Sequence, residues 1–333
     1  MTNSILTSSP VPAAAAAVTV ARRAFGWQKA KRLARDHITF IVFGLITLFF
    51  ILHAPNFASL ATANAIGRIT AVVSIMAVGM TMVIMCREID LSVGALASLS
   101  AMVGAMLMQT GIAPWLSIPV MTAFGALIGL VNGLIVTRLR IPSFLVTLGM
   151  LSILSGTALT LTDSLPVPIG DRTLGKIMAN GTLIGLPAAV WWTVVFALAG
   201  IYVLHLSVIG RQMAATGGNE AAARFSGIDV DRAKVIAFAI CGACASFAGY
   251  MLAARASAGN PSVGVGLELN VIAAVIIGGT SLFGGRGTVI GSVIGAIFIG
   301  ILAFGLVVIG LSTTIQEIVK GVIIILAVSL NRR

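Results

Sequence analysis

Long apolar runs, each roughly the length of one membrane-spanning helix, constrain the fold of this chain more than any other feature. Crossing the roughly 30 Å hydrocarbon core of a membrane takes about 20 helical residues. Hydrophobic residues make up 58% of the sequence and charged residues only 9%, and the mean hydropathy is +1.08. Such a composition is not that of a water-soluble domain, and the alternation typical of a strand barrel is absent. The sequence therefore predicts an all-α, polytopic membrane protein.

The apolar runs predict about ten spanning helices. Their expected positions are near 37–54, 69–86, 91–110, 114–136, 143–161, 188–206, 234–254, 267–282, 288–309 and 315–330. Residues 37–333 then form one transmembrane domain, and residues 1–36 form a disordered, basic cytoplasmic tail. The tail is not interpreted as a secretory signal, because its basic residues follow the apolar segment instead of preceding it. Its second half fits an interfacial helix or a basic anchor equally well.

The distribution of Lys and Arg predicts the orientation, since these residues collect on the cytoplasmic side. If both termini lie in the cytoplasm, most Lys and Arg residues between the spans and in the tails are cytoplasmic. The exceptions are Arg68, Arg172, Lys176 and Arg255, which lie outside. The net charge of +11 is then a topology signal with anionic lipid as its counterpart. We expect a lipid bilayer and no nucleic acid among the partners.

One charged segment, Gly210–Lys234, interrupts the apolar sequence and is called the polar island below. It reads GRQMAATGGNEAAARFSGIDVDRAK and overlaps a predicted cytoplasmic loop over residues 207–233. We predict a turn at Gly217–Gly218–Asn219 followed by a short helix to Ser226, with one acidic and one basic residue a turn apart. A merely solvated linker is the alternative.

A solvated linker does not need small residues, glycine turns and two apolar anchors, Phe225 and Ile228. We therefore expect the island to contact another protein. The candidate contact residues are Arg211, Gly217, Gly218, Asn219, Glu220, Arg224, Phe225, Gly227 and Asp229.

Glycines at spacings that let helix backbones approach closely form two ridges. The segments GALIGLVNGLIV and GSVIGAIFIGIL are alike. The first carries Gly125, Gly129 and Gly133; the second carries Gly291 and Gly295, and Gly287 precedes it. The predicted topology runs the two segments in opposite directions through the membrane, as an inverted repeat does. Generic tight packing is the alternative.

Polar interruptions precede an apolar helix in each half, as REIDLSVG and as GVGLELNV. Paired interruptions of this kind indicate the pathway of a transporter. Asp90 or Ser92 could instead cap the following helix, and both roles stay open. The candidate residues of the pathway are Asp90, Ser92, Asn132, Glu268 and Asn270. Glu317 and Lys320 are interpreted as an i,i+3 ion pair and not as a proton relay.

No residue pattern predicts chemistry on this chain. The CGAC pair, Cys241 and Cys244, lies in an apolar helix without acidic or histidine company and is interpreted as packing. The three histidines stand far apart, and no GxxxxGK[ST] phosphate loop occurs. We expect no catalytic residue, no metal and no cofactor bound by this chain.

Three segments resemble the permease subunits of bacterial sugar ABC importers of the ribose and xylose type. REIDLSVG is similar to that family's Gly-Gly-Ile-Asp-Leu-Ser-Val-Gly signature, ATGGNEAAARFSGIDV to its cytoplasmic loop, and ELNVIAAVIIGGTSLFGGRGTVIGSVIGA to its C-terminal signature. One departure is that Arg87 and Glu88 stand where the family usually has two glycines.

The resemblance implies a ten-span permease of the bacterial inner membrane that dimerises with a second copy or a paralogue. It implies a cytoplasmic ABC ATPase that binds ATP and Mg, with the coupling helix of the island in a cleft of that subunit. It also implies a periplasmic binding protein that delivers a sugar or polyol. A nucleoside-specific ABC permease, an ion-coupled secondary transporter and a membrane-embedded enzyme are the other classes considered.

Overall fold

The fold is seen in a computed structural model that describes residues 41–312, 314–316, 318–319, 321–322 and 325. The predicted tail 1–36 lies outside the described residues, as do Glu317 and Lys320. The first predicted span is therefore described only from Ile41 and the last only in part.

The described chain is almost entirely helical, with two short antiparallel strand pairs. The helices are α1 Ile41–His53, α2 Leu60–Met85, α3 Val93–Gln109, α4 Pro114–Leu139, α5 Ser143–Thr160, α6 Arg172–Gly175, α7 Ala188–Ile201, α8 Val208–Gly218, α9 Glu220–Phe225, α10 Val230–Ala256, α11 Leu267–Ile277 and α12 Val289–Val308. Two π-helical pieces, Lys176–Asn180 and Tyr202–Leu206, continue α6 and α7. Strand β1 (Val167–Pro168) pairs with β4 (Ala258–Gly259), and β2 (Thr182–Leu183) pairs with β3 (Leu186–Pro187).

Six helical segments among the described residues are long and apolar enough to cross a membrane: α2, α4, α5, α7 with its π-helical continuation, α10 and α12. Helices α1, α3 and α11 are apolar but shorter as described. The prediction of an all-α, polytopic membrane protein is confirmed, and the number of spans stays a prediction.

Capping and glycine turns move several helix ends from their predicted positions. Helix α2 begins at Leu60 and not near 69, because the Ser59 side chain accepts a hydrogen bond from the amide of Thr62. Helix α10 begins at Val230, where Asp229 caps it. Helix α11 ends at Ile277 and not near 282, because Gly279 follows with a φ of +90°.

Helices α2 and α10 form the centre of the bundle and run antiparallel. At one end Glu88, just after α2, forms an ion pair with Lys234 near the start of α10. At the other end the Arg255 side chain donates to the carbonyl of Arg68. Between these ends a Cβ added to Gly79 would lie 2.6 Å from the Cα of Cys241. Both cysteines of the CGAC pair are free and buried, in agreement with the packing interpretation.

Both glycine ridges bring helix backbones into contact. Gly125, Gly129 and Gly133 of α4 lie against α10, where an added Cβ at Gly129 would collide with the carbonyl oxygen of Phe238. Gly291 and Gly295 of α12 lie against the backbone of Gly278 and Ala274 in and after α11. Small residues are therefore required where these helices cross.

The packing pattern is symmetric when α2, α3 and α4 are exchanged with α10, α11 and α12. Helix α4 packs on α10 as α12 packs on α2, and α3 packs on α10 as α11 packs on α2. Helix α4 is antiparallel to α10, since Gly125 meets Ser246 and Gly133 meets Val235. Helix α12 is antiparallel to α2, since Ser292 is bonded to Thr81 and Gly300 meets Thr70.

Because α2 and α10 also oppose each other, α4 and α12 run in opposite directions. This is the arrangement that the inverted-repeat prediction requires.

The two ends of the bundle are distinguished below by the polar island. The island side carries α8, α9, the end of α2 and the loop 278–288, where the amide of Gly285 donates to the carbonyl of Met85. The far side carries α6 and both strand pairs, and there Asn180 donates to the carbonyl of Arg255.

Candidate functional site

The polar island folds into two capped helices. The Ser207 side chain accepts from the amide of Gly210 at the start of α8, and the Asn219 side chain accepts from the amide of Ala222 at the start of α9, at 3.0 Å. The predicted short helix is therefore present. The predicted turn at Gly217 and Gly218 is wrong, because both residues belong to α8 and the chain breaks only at Asn219.

Gly217 and Gly218 differ in what surrounds them. A Cβ on Gly217 would collide with the carbonyl oxygen of Met85 and lie 2.6 Å from the amide nitrogen of Gly285, whereas nothing lies within 4 Å of one on Gly218. Gly284 and Gly285 turn with φ of +79° and +74°, which favours glycine. The end of α8 is thus locked against α2 and the 278–288 loop, and it gives α9 a rigid base.

Charged side chains join α9 to the bundle. Glu220 forms ion pairs with Arg224, at 3.0 Å, and with Lys234, also at 3.0 Å. Arg224 bonds to Asp231 at 2.6 Å, and Lys234 bonds to Glu88 at 2.7 Å. Glu88, Asp231 and Lys234 were not predicted from the sequence, since spacing along the chain gives no signal for a contact between α10 and the residues after α2.

The pKa of Glu220 lies below its ordinary value. Partial burial acts to raise the pKa of this carboxyl, but hydrogen bonds and charge from Lys234 and Arg224 lower it by more. A carboxyl with a lowered pKa stabilises the fold above its unfolded-state pKa and loses that contribution as the pH falls through the lowered value. The ion pairs of Glu220 are therefore intact at neutral pH and break only in acid.

The outer surface of α9 presents an apolar side chain to solvent. Phe225 is 94% exposed, whereas the other predicted anchor, Ile228, is partly buried. Arg211 is exposed, Gly227 turns with a φ of +80°, and Asp229 caps α10 by accepting from the amide of Arg232. Of the predicted contact residues, Asn219 and Asp229 are exposed but serve as helix caps, whereas Phe225 is exposed and packs on little within the chain.

Three of the predicted pathway residues form one buried hydrogen-bonded chain. The Asn132 side-chain amide of α4 donates to the Ser92 hydroxyl at 2.9 Å, and that hydroxyl donates to the Asp90 carboxylate at 2.6 Å. The amide of Ser92 donates to the same carboxylate oxygen. Asp90, Ser92 and Asn132 are 1%, 0% and 0% exposed.

Ser92 occupies the cap position of α3 but makes no side-chain cap bond. Asp90 instead accepts a hydrogen bond from the amide of Ser92, just before the first residue of the helix. The three side chains are bonded to one another and shielded from solvent. The side-chain oxygen of Asn132 is buried without a hydrogen-bond partner.

The other two pathway residues lie where the starts of α3 and α11 meet. A Cβ on Gly94 would collide with the Glu268 carboxylate and lie 2.6 Å from the carbonyl oxygen of Gly264. The amide of Gly264 donates to the Ser98 hydroxyl at 2.8 Å. Glu268 and Asn270 are partly exposed. The structure therefore brings the two polar interruptions of the sequence together.

Replacing Asp90 with alanine is expected to lower the stability of the protein by about 1–3 kcal/mol, because the amide and hydroxyl of Ser92 lose their buried acceptor. The melting temperature of the detergent-purified protein measures this loss. Asp90→Asn, which keeps one acceptor oxygen, is the matched control and should lose less. If Asp90 only braces the start of α3, the solute affinity of the reconstituted system stays unchanged; an altered solute preference contradicts that role.

The chain was compared with known proteins. Residues 62–328 match the family model described as branched-chain amino acid transport system / permease component. The ribose import permease protein RbsC of Escherichia coli K12 is 41% identical over 283 residues, covering 84% of this chain and 88% of that protein. RbsC of Bacillus subtilis is 38% identical over 87% of this chain and 91% of its own length.

A third relative, the L-arabinose ABC transporter permease protein AraH of Azospirillum brasilense, is 32% identical over 96% of this chain and 93% of its own length. No solved structure matches this chain significantly.

A bundle of apolar, membrane-length helices with paired polar interruptions is the architecture of a membrane permease. The chain belongs to the family of ABC importer permease components that these matches describe.

Proposed function

We propose that this protein is the membrane-spanning permease subunit of an ATP-driven importer in the bacterial inner membrane, which moves a sugar from a periplasmic binding protein into the cytoplasm. Relatives named as ribose and L-arabinose permeases match this chain over more than four fifths of its length. They support a monosaccharide as the cargo. A nucleoside is the second candidate, and the binding protein decides between them.

The structure of α9 is the observation that supports the coupling mechanism. It is a capped helix on a rigid base, and it exposes Phe225 together with Glu220 and Arg224. Exposed aromatic and arginine side chains are enriched among the residues that dominate protein interfaces. In this proposal α9 docks on a cytoplasmic ABC ATPase, which binds ATP and Mg, and closure of the ATPase displaces α9.

The island side is the cytoplasmic side in this proposal. Contacts place the far-side cations Arg68, Arg172, Lys176 and Arg255 around the strand pairs and α6. The remaining Lys and Arg residues among those that the structure describes are Arg87, Arg138, Arg140, Arg211, Arg224, Arg232, Lys234 and Arg286, and these lie in or beside the island side. This asymmetry agrees with the positive-inside rule, and both termini are then cytoplasmic.

The solute pathway runs past the meeting point of α3 and α11. Positive helix ends and polar side chains converge there, because Glu268 and Asn270 are partly exposed at the start of α11 and the buried Asn132–Ser92–Asp90 chain lies at the start of α3. Movement of helices α2–α4 relative to helices α10–α12 opens this region alternately to either side of the membrane. A second copy of the chain, or a paralogue, completes the permease within the lipid bilayer.

ATP-dependent uptake in proteoliposomes tests the proposal. The permease is reconstituted with its ATPase and binding protein, and uptake of labelled ribose, arabinose, allose and a nucleoside is measured. We expect sugar uptake to stop when ATP is withheld while ion gradients are kept. Uptake that continues on an ion gradient alone would identify a secondary transporter, and uptake of the nucleoside alone would identify a nucleoside permease.

A further inference from the structure

Lys234 holds two carboxylates that belong to different parts of the protein. Its ammonium group lies 2.7 Å from Oε1 of Glu88 and 3.0 Å from Oε2 of Glu220. The side chains of Lys234 and Glu88 are only 12% and 13% exposed, whereas that of Glu220 is 45% exposed. Ion pairs that are largely shielded from water are screened less by salt than exposed ones. Lys234 is therefore a firm contact between the coupling helix α9 and the segment after α2.

Apolar packing does not make this connection, since α9 is poorly packed against the bundle. Ala223 is the one buried residue of α9. An open pocket of about 560 Å³ adjoins the helix, and its lining includes Glu220 and Arg224 of α9 together with Val136, Thr137 and Pro142. A displacement of α9 thus reaches the bundle through its junction with α8 and through its charged contacts.

The segment that begins at Glu88 leads into the predicted pathway residues Asp90 and Ser92. The next residue, Ile89, accepts a bond from the hydroxyl of Thr147 through its carbonyl, and its amide donates to the Ser143 hydroxyl at 3.2 Å. Asp90 follows and holds Ser92 at the start of α3. The segment 88–92 is consequently tied to α3 and α5, and a pull on Glu88 acts on the start of α3.

We propose that Glu88 and Lys234 are positioning residues that transmit movement of α9 to the start of α3. Lys234 acts as a two-sided link: its bond to Glu220 follows the coupling helix, and its bond to Glu88 moves the segment that carries Asp90. The proposal rests on the function proposed above and adds residues outside the island's exposed surface to the coupling path.

The test compares sugar uptake with ATP hydrolysis in the reconstituted complex of permease, ATPase and binding protein. Lys234→Met and Glu88→Gln are expected to lower the number of sugars imported per ATP at least about tenfold, with the complex still assembled. Lys234→Arg keeps the charge and should retain most of the coupling. The double variant Glu88→Gln/Lys234→Met should be no worse than the worse single variant, because both remove the same link.

Asp231→Asn is the matched control. It removes a contact of 2.6 Å between α10 and α9 that does not reach Glu88, and it should leave the ratio near that of the unaltered protein. Two outcomes would contradict the proposed link. One is an equal fall in sugars imported per ATP in Asp231→Asn and Lys234→Met, and the other is a normal ratio in both Glu88→Gln and Lys234→Met.

Two measurements distinguish failure of this inference from failure of the proposed function on which it rests. If the unaltered complex shows no ATP-dependent uptake, the proposed function fails. If it transports normally while both link variants keep the normal ratio, the function stands and the link fails. Should Lys234→Met not accumulate, the near-isosteric Glu88→Gln decides, since it alters one atom of a residue that is not inside a spanning helix.

Discussion

Replacing Gly129 with leucine is expected to remove most of the folded protein from the membrane. The Cβ of any residue at 129 would collide with the carbonyl oxygen of Phe238, and it would lie 2.8 Å from the carbonyl carbon. Backbone atoms of α10 cannot rotate aside as a flexible side chain can, so α4 and α10 must separate. Overpacking costs about 1–3 kcal/mol where side chains adjust, and we expect more than about 3 kcal/mol here.

Gly149→Leu is the matched control, because a Cβ at Gly149 in α5 would have nothing within 4 Å. The amount of monodisperse protein after detergent extraction and its melting temperature measure both variants. We expect Gly149→Leu to behave as the unaltered protein and Gly129→Leu to yield less than about a tenth of it. Similar yields of the two variants would show that the α4–α10 crossing is not close-packed as described.

Replacing Phe225 with aspartate is expected to abolish transport without harming the fold. The side chain is 94% exposed, so it contributes almost no packing within the chain. If α9 docks on the ATPase as proposed, this side chain lies in the interface, where a buried, unpaired carboxylate is strongly unfavourable. We expect the affinity of the permease for its ATPase to fall at least about tenfold and sugar uptake to fall with it.

Phe225→Leu keeps an apolar side chain and should retain most of the affinity and uptake. Co-purification of the ATPase with each variant distinguishes this docking defect from loss of the Lys234 link, which leaves the complex assembled. Normal ATPase binding by Phe225→Asp contradicts the docking role of α9.

Local sequence patterns predicted the long apolar helices, but not α6, the two π-helical pieces or the strand pairs. The length and polarity of the apolar runs predict membrane helices, because crossing the bilayer imposes the same length on every span. The short helix of the island was also predictable, since Asn219 caps its start and Glu220 and Arg224 pair one turn apart. Its preceding turn was not, because Gly217 and Gly218 continue α8. Two adjacent glycines favour a turn locally, but one of them is needed where α8 crosses the end of α2.

The pathway candidates also depend on contacts between distant segments, which local sequence patterns do not reveal. The two polar interruptions were recognised from their residues, yet only the structure shows that Gly94, Gly264 and Glu268 meet. Asn132 was among the predicted pathway residues, but its bond to Ser92 depends on how α4 packs beside α3. Glu88 drew attention as a departure from a glycine-rich signature, but its partner Lys234 lies on another helix.

The sequence by itself determined that this is a helical membrane protein with one charged segment between apolar helices, because span length, hydropathy and helix caps are properties of neighbouring residues, and three motifs gave its resemblance to sugar permeases. Only the tertiary structure decided which glycines must be glycine, and which charges join α9 to α10 and to the segment after α2. Those features arise from the register in which distant helices pack against one another, and the sequence of a single helix does not contain that register.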